Sequence, residues 1–142
     1  MNGLVVVDAS IALKWVLNEP DSMAAEAVLA GHRLTAPDLL VVECANAIWT
    51  RIRRRTLSPA EARAVFSDLL AIDIDYEADH GLAAAALSLA ADLDHPVYDC
   101  TYLALALERG CEVITADRRF AAAVGAHPFH AGRVRLLADL AP

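Results

Sequence analysis

Short apolar runs rich in β-branched residues alternate along this chain with segments of helical periodicity, and this alternation constrains the fold most. The predicted strands are residues 4–7, 33–36, 71–75, 112–115 and 133–136. The predicted helices are residues 11–17, 23–30, 38–55, a segment opening at 58, residues 79–92, a segment from about 98 to 110, and residues 118–124. Near-continuous apolar strands joined by helices are typical of a parallel sheet covered on both faces. We therefore expect a three-layer α/β/α sandwich with a mainly parallel central sheet.

Composition predicts one domain spanning residues 1–142 in a protein without a membrane partner. The hydrophobic fraction of 57% exceeds the usual range of about 45–50% and is enough for a substantial core. No run reaches the roughly 18 apolar residues of a spanning helix, and the N-terminus lacks the features of a signal peptide. We expect a cytoplasmic protein. The three cysteines form no CxxC pair, which argues against a disulfide framework or a zinc site.

Four acidic residues stand directly after an apolar run or inside an apolar helix: Asp8, Glu43, Asp99 and Asp117. Asp8 and Asp117 follow predicted strands, and sheets of this class bind ligands beyond the carboxyl ends of their strands. The three aspartates have an alternative interpretation, since each precedes or opens a helix and would stabilise its N-terminus. Glu43 lies in mid-helix among apolar residues, so no capping role explains it.

Convergence of these carboxylates would require a cation. Two carboxylates about 4 Å apart repel by roughly 4 kcal/mol at an effective dielectric constant of 20. All-oxygen ligation favours Mg²⁺ or Mn²⁺ over zinc, and such a metal activates water for hydrolysis of a phosphodiester. The four acids are therefore predicted to be both metal ligands and catalytic residues. The hydroxyls of Ser10 and Thr115 are predicted to orient ligands or water, with a simple role as turn residues as the alternative.

Positive charge is distributed unevenly along the chain. The formal net charge of −7 argues against a general nucleic-acid coat. Four arginines nevertheless follow Glu43 at the end of its predicted helix: Arg51, Arg53, Arg54 and Arg55. They are predicted to contact RNA phosphates or an acidic partner. The alternative is a solvated helix end at which arginine favours the helix dipole.

Four stretches of the sequence together resemble PIN-domain ribonucleases, and within them most closely the VapC toxins of bacterial type II toxin–antitoxin systems. These stretches are VVVDAS, APDLLVVECANAI, HPVYDCTYLALA and VITADRRF, and they cover nearly the whole chain in the order and spacing of that family. The resemblance places the metal-binding acids of the family on Asp8, Glu43, Asp99 and Asp117. It also matches a recurrent hydroxyl residue with Thr115, and the asparagine after the glutamate with Asn46.

The resemblance implies a Mg²⁺- or Mn²⁺-dependent endoribonuclease that inhibits translation, forms a homodimer and is neutralised by a cognate VapB-type antitoxin. Two alternatives stay open. One is a PIN-like nuclease that acts in RNA processing outside a toxin–antitoxin pair, and the other is a non-catalytic module whose acidic groove binds a basic partner. A flavodoxin-like phosphoacceptor domain fits less well, because it needs a second acid after the first strand and a late lysine, whereas the only lysine is Lys14.

Overall fold

A computed structural model describes residues 3–140, and its centre is a parallel sheet of five strands. The strands are β1 (Leu4–Val7), β2 (Arg33–Pro37), β3 (Asp75–Glu77), β4 (Glu112–Thr115) and β5 (Val134–Leu136). They lie in the order β3-β2-β1-β4-β5, and every pair is parallel. This arrangement confirms the predicted fold class.

Helices cover both faces of the sheet. They are α1 (Ala9–Val16), α2 (Ser22–Gly31), α3 (Leu39–Arg53), α4 (Pro59–Leu70), α5 (Ala83–Leu93), α6 (Val97–Arg109) and α7 (Arg118–Gly125). Helix α1 contacts α2, α3 and α4, whereas α6 packs on α5 and on β1, β2 and β4. The chain runs from β1 to β3 in one direction and then returns to β4. Because crossovers between parallel strands are right-handed, this reversal places the later helices on the opposite face.

Helix α6 is the most deeply buried helix of the described chain. Its residues 100–106 are all buried, because the helix lies between the sheet and α5. The small side chains of Cys100, Ala104 and Ala106 in this stretch favour close packing of the helix on its neighbours. The left-handed conformation of Gly110, with a φ of 66°, ends the helix. None of the helices in the described part of the chain is long and apolar enough to cross a membrane.

The predicted strand over residues 71–75 is wrong except at its last residue. The backbone N–H of Ile72 still donates to the carbonyl of Leu69 at 3.1 Å, so the chain is leaving α4 at this point. The strand β3 begins only at Asp75, which pairs with Thr35. The alternating isoleucines are explained by burial rather than by pairing in the sheet. Ile74 lies in the core and Ile72 packs against it, within the connection from α4 to β3.

Candidate active site

A small cavity of about 160 Å³ lies at the carboxyl ends of β1 and β4. It is lined by Asp8, Ala9, Ser10, Glu43, Asp99, Tyr102 and Asp117. The four predicted acids therefore surround one space, although they come from the ends of two strands and from two helices. None of the lining residues is a lysine or an arginine. The cavity wall is consequently acidic without an internal counter-charge.

Asp8 is held by two hydroxyl groups, one from the start of α1 and one from the end of β4. The parallel register of the two strands places Thr115 beside Asp8. The Thr115 hydroxyl donates to Oδ2 of Asp8, and the Ser10 hydroxyl donates to Oδ1 at 2.5 Å. The backbone N–H of Ile11 also donates to Oδ1, at 3.3 Å. Asp8 thus caps α1, as the alternative interpretation had it, and lines the cavity as well.

The two hydroxyls are fixed in turn by the loop after β4. The backbone N–H of Ala116 donates to Oγ of Ser10 at 2.8 Å, and that of Asp117 donates to Oγ1 of Thr115 at 3.0 Å. Each hydroxyl therefore accepts from the backbone and gives its own proton to Asp8. This network ties the ends of β1 and β4 together and leaves the Asp8 carboxylate little rotational freedom.

Asp117, like Asp8, both caps a helix and lines the cavity. Its Oδ1 accepts from the backbone N–H groups of Arg119 and Phe120 at 2.9 and 3.2 Å, so it caps α7. Its carboxylate also lines the cavity. Capping and lining the cavity are therefore compatible, because a carboxylate has lone pairs for both.

Asp99 lies in the first turn of α6 and is bound to a histidine that sequence reasoning missed. Nε2 of His95 hydrogen-bonds Oδ2 of Asp99 at 2.6 Å. The imidazole also stacks on Phe120, with 5.4 Å between ring centroids. His95 therefore links the start of α6 to α7. The four-residue spacing to Asp99 was the available signal, although His95 precedes the helix rather than lying in it.

Glu43 reaches the cavity from α3 and is bound to a second missed residue. The phenol of Tyr102 donates to its Oε1. Asn46, which the family resemblance singled out, is exposed and does not line the cavity. The signal for Tyr102 was its position three residues after Asp99, which places both side chains on one face of α6.

Burial, together with repulsion from Asp99, disfavours the ionised forms of two acids of the site. Burial raises the pKa of Asp8 from 3.8 to about 6, against the lowering effect of its hydrogen bonds. Burial also raises the pKa of Glu43, although the hydrogen bond from Tyr102 lowers it. The charge of Asp99 raises the pKa of both acids. The adjacent Cys44 is no nucleophile, because burial raises the pKa of its thiol to about 12.

A fifth acid, Asp79, lies beyond the end of β3 and was also missed. Its Oδ1 accepts from the backbone N–H of Leu39 at 3.0 Å, so it caps α3 from another part of the chain. Its charge contributes to the raised pKa of Glu43. Asp38 directly precedes α3 but makes no capping hydrogen bond with its side chain.

The donor set fits a hard divalent cation that keeps part of its hydration shell. The cavity offers carboxylate oxygens and uncompensated negative charge, both of which favour Mg²⁺ or Mn²⁺. Within residues 3–140, no group of three or more histidine, cysteine, aspartate or glutamate side chains is close enough together to hold a metal ion as the site stands. Mg²⁺ commonly binds through one or two carboxylates and several waters, so this open arrangement matches its coordination.

The arginines after Glu43 differ from one another in their contacts. Arg51 donates to Oε2 of Glu19 at 2.8 Å, so its charge is already neutralised. The guanidinium of Arg53 lies over the ring of Trp49, 5.1 Å from the centroid. Arg54 and Arg55 are exposed at the end of α3. The structure thus separates Arg51 from the three arginines that face solvent.

Two further arginines, Arg118 and Arg119, begin α7 directly after Asp117 and are exposed. A cation in the first turn of a helix opposes the helix dipole, so this placement does not favour α7. No side-chain hydrogen bond or ion pair involves either arginine within the described residues. Both guanidinium groups are therefore available to a ligand.

The sequence matches the PIN domain family over residues 5–125. Ribonuclease VapC3 of Pyrobaculum aerophilum is 35% identical over 122 residues, which cover 82% of this chain and 92% of the relative. A crystal structure of a P. aerophilum protein has a TM-score of 0.71 at 20% identity, covering 99% of this chain and 92% of the other. That of Mycobacterium tuberculosis VapC20, a toxin that cleaves the sarcin–ricin loop, has a TM-score of 0.64 at 20% identity, covering 84% and 94%.

Proposed function

The chain belongs to the PIN domain family and is a ribonuclease toxin of the VapC type, and on this basis we propose that it is a Mg²⁺- or Mn²⁺-dependent endoribonuclease that inhibits translation. The observation that carries the proposal is that four carboxylates from separate parts of the chain line one cavity, whose lining residues include no lysine or arginine. We further propose a cognate VapB-type antitoxin as its partner, a homodimeric state and a cytoplasmic location.

We assign the cation to the four acids that line the cavity: Asp8, Glu43, Asp99 and Asp117. When bound, the cation would supply positive charge beside the scissile phosphate and lower the pKa of a water molecule for attack on phosphorus. The acids also orient that water by accepting its hydrogen bonds. Ser10 and Thr115 act through Asp8, because their hydroxyls hold its carboxylate at the strand ends. Asn46 stays a predicted supporting residue.

We propose that RNA phosphates are contacted by exposed arginines. Arg118 and Arg119 adjoin Asp117 in sequence and are exposed. The exposed arginines at the end of α3, Arg53 to Arg55, are a second candidate surface for RNA or for the antitoxin. Arg51 has a weaker claim, since Glu19 already neutralises it.

The test is to incubate purified, partner-free protein with RNA in Mg²⁺ or Mn²⁺, and in parallel with a chelator. We expect cleavage only with the metal. Asp8→Asn and Asp99→Asn should each lower the cleavage rate by roughly 100-fold or more, since replacing even a supporting residue of a metal site typically lowers activity or metal affinity by about 10–100-fold. The control is Asp68→Asn, which changes an exposed carboxylate of α4. Undiminished cleavage in chelator, or in both active-site variants, would refute the metal mechanism.

A further inference from the structure

We infer that Tyr102 is a positioning residue of the candidate active site, and that its phenol holds the Glu43 carboxylate in place as a ligand at the cavity wall. This inference rests on the proposed function, because it concerns how one of the proposed ligands is oriented. It concerns a residue outside the predicted set of acids and hydroxyls. The supporting observations are one hydrogen bond, the burial of the donor and the charges around the acceptor.

Glu43 receives no side-chain hydrogen bond from its own helix within the described residues. Asp8 and Asp117 are fixed at strand ends by helix N-termini and, for Asp8, by two hydroxyls. Glu43 instead projects from the middle of α3 on a long side chain with more rotatable bonds, and ordering such a side chain costs entropy. The bond from Tyr102 is its one side-chain hydrogen bond among the described residues.

Tyr102 is well suited to supply that restraint. Its side chain is only 1% exposed, within the buried stretch of α6, so the packed ring cannot swing away. It lies three residues after Asp99, so the phenol and that carboxylate share one face of α6. The hydroxyl crosses from α6 to α3 and joins two acid-bearing helices through a rigid donor.

Repulsion explains why Glu43 needs a restraint. The charges of Asp99 and Asp79 both disfavour the ionised Glu43 carboxylate. Glu43 is only half-buried, so without a donor its side chain would relieve the repulsion by rotating toward solvent. Because Oε1 accepts from Tyr102, Oε2 stays available to face the cavity. The phenol therefore opposes the splaying of the acids and leaves one oxygen for a cation.

The experiment is to measure Mn²⁺ affinity of the whole protein by titration calorimetry, with and without the phenol. We expect Tyr102→Phe to raise the Mn²⁺ dissociation constant by about tenfold, within the range of 10–100-fold found for supporting residues of metal sites. Ribonuclease activity of the variant should recover when Mn²⁺ is raised to saturate the weakened site, because the ligands themselves are unchanged.

Two tyrosines provide matched controls. The Tyr76 hydroxyl is buried without a hydrogen-bond partner in the described chain, so Tyr76→Phe removes the same atom and breaks no such bond. Tyr98→Phe changes an exposed residue of the same helix. Both controls should keep Mn²⁺ affinity within about twofold of the wild type. If Tyr102 served only the core, the Tyr102→Phe protein would be less stable but would keep its Mn²⁺ affinity. That result would overturn the inference.

A double-mutant cycle with Glu43→Gln provides a second measurement, which separates an effect of Tyr102 through Glu43 from an effect that is independent of Glu43. If Tyr102 acts through Glu43, adding Tyr102→Phe to Glu43→Gln should not weaken Mn²⁺ binding further. An equal additional loss would overturn the inference. Absence of Mn²⁺ binding to the wild type would instead refute the proposed function itself, so the two failures are distinguishable.

Discussion

Burial of the Asp8 carboxylate costs stability whenever no cation is bound. Its folded-state pKa of about 6 lies above the ordinary value of 3.8, so the folded protein binds this proton more tightly than the unfolded chain does. The contribution of Asp8 to stability is fully present below about pH 4 and is lost as the pH rises through about 6. Raising the pKa of this carboxyl group from 3.8 to about 6 corresponds to about 3 kcal/mol.

We therefore expect Asp8→Asn to be more stable than the wild type at pH 7 in chelator, by up to about 3 kcal/mol. The difference should shrink as the pH falls from about 6 to about 4. Urea unfolding over this pH range measures it, with Asp68→Asn as the exposed control. Parallel pH profiles of Asp8→Asn and the wild type would contradict the expectation.

At the residue scale, the acids were predictable because each departs from its local pattern. A carboxylate at the end of an apolar strand, or in the middle of an apolar helix, is conspicuous without any knowledge of the fold. Tyr102 and His95 were not predictable in this way, since a tyrosine in a buried helix and a histidine before a proline are ordinary. Apart from their spacing to Asp99, their relevance comes from contacts with Glu43 and Asp99.

At the element scale, the orientation of α3 depends on an acid from another part of the chain. Asp79 caps the helix through Leu39, whereas Asp38 makes no such side-chain bond. We expect Asp79→Ala to reduce the free energy of unfolding by about 1 kcal/mol, the usual cost of removing a cap. Because α3 carries Glu43, ribonuclease activity should also fall several-fold.

The matched control for this prediction is Asp38→Ala, which removes a carboxylate directly before the same helix. We expect it to change unfolding by urea and RNA cleavage little. If Asp38→Ala proves as destabilising as Asp79→Ala, the cap assignment is incorrect. The comparison separates loss of a hydrogen bond from loss of negative charge near the helix N-terminus.

Helix ends that are fixed by neighbouring residues were predictable from the sequence, and those fixed by distant residues were not. The predicted opening of a helix at residue 58 is confirmed, because Ser58 and Glu61 form a capping box whose two partners lie within four residues. The cap from Asp79 joins residues forty positions apart, and no local pattern indicates it. The start of β3 was misplaced for the same reason, since pairing with Thr35 rather than local alternation determines where the strand begins.

At the scale of the whole molecule, the protein and its proposed RNA substrate are both acidic. The net charge is −7, so RNA binding should depend on locally exposed arginines. We expect Arg118→Ala/Arg119→Ala, made in the inactive Asp99→Asn background, to weaken RNA binding. The slope of log affinity against log salt should become shallower by about 0.7 for each phosphate of single-stranded RNA that the variant no longer neutralises.

The matched control has the same change in net charge at arginines that are already paired. Arg109 lies beside Asp75 and Glu77, and Arg135 is bound to Glu112. Arg109→Ala/Arg135→Ala should leave the salt slope unchanged. Fluorescence anisotropy with a labelled RNA measures both variants between about 50 and 200 mM salt. Equal reductions of affinity in the two double variants would mean that only overall charge matters.

The overall architecture was the most predictable level. Alternation of apolar strands with helices determined the three layers, and the carboxyl-end rule placed Asp8 and Asp117 correctly. The strand order, with β1 between β2 and β4, followed from no single pattern in the chain. That order is what brings Thr115 beside Asp8 and so determines the hydroxyl network.

Asp8 and Asp117 each cap a helix and line the cavity, and this combination has a consequence for the evolution of such a toxin. An aspartate codon becomes an asparagine codon by a single-base change, and asparagine is as good a helix cap as aspartate. Selection against toxicity therefore has a short mutational route to a folded, inactive protein. Such a protein would keep the rest of its surface unchanged. We expect silenced copies of this gene to carry asparagine at these positions more often than alanine.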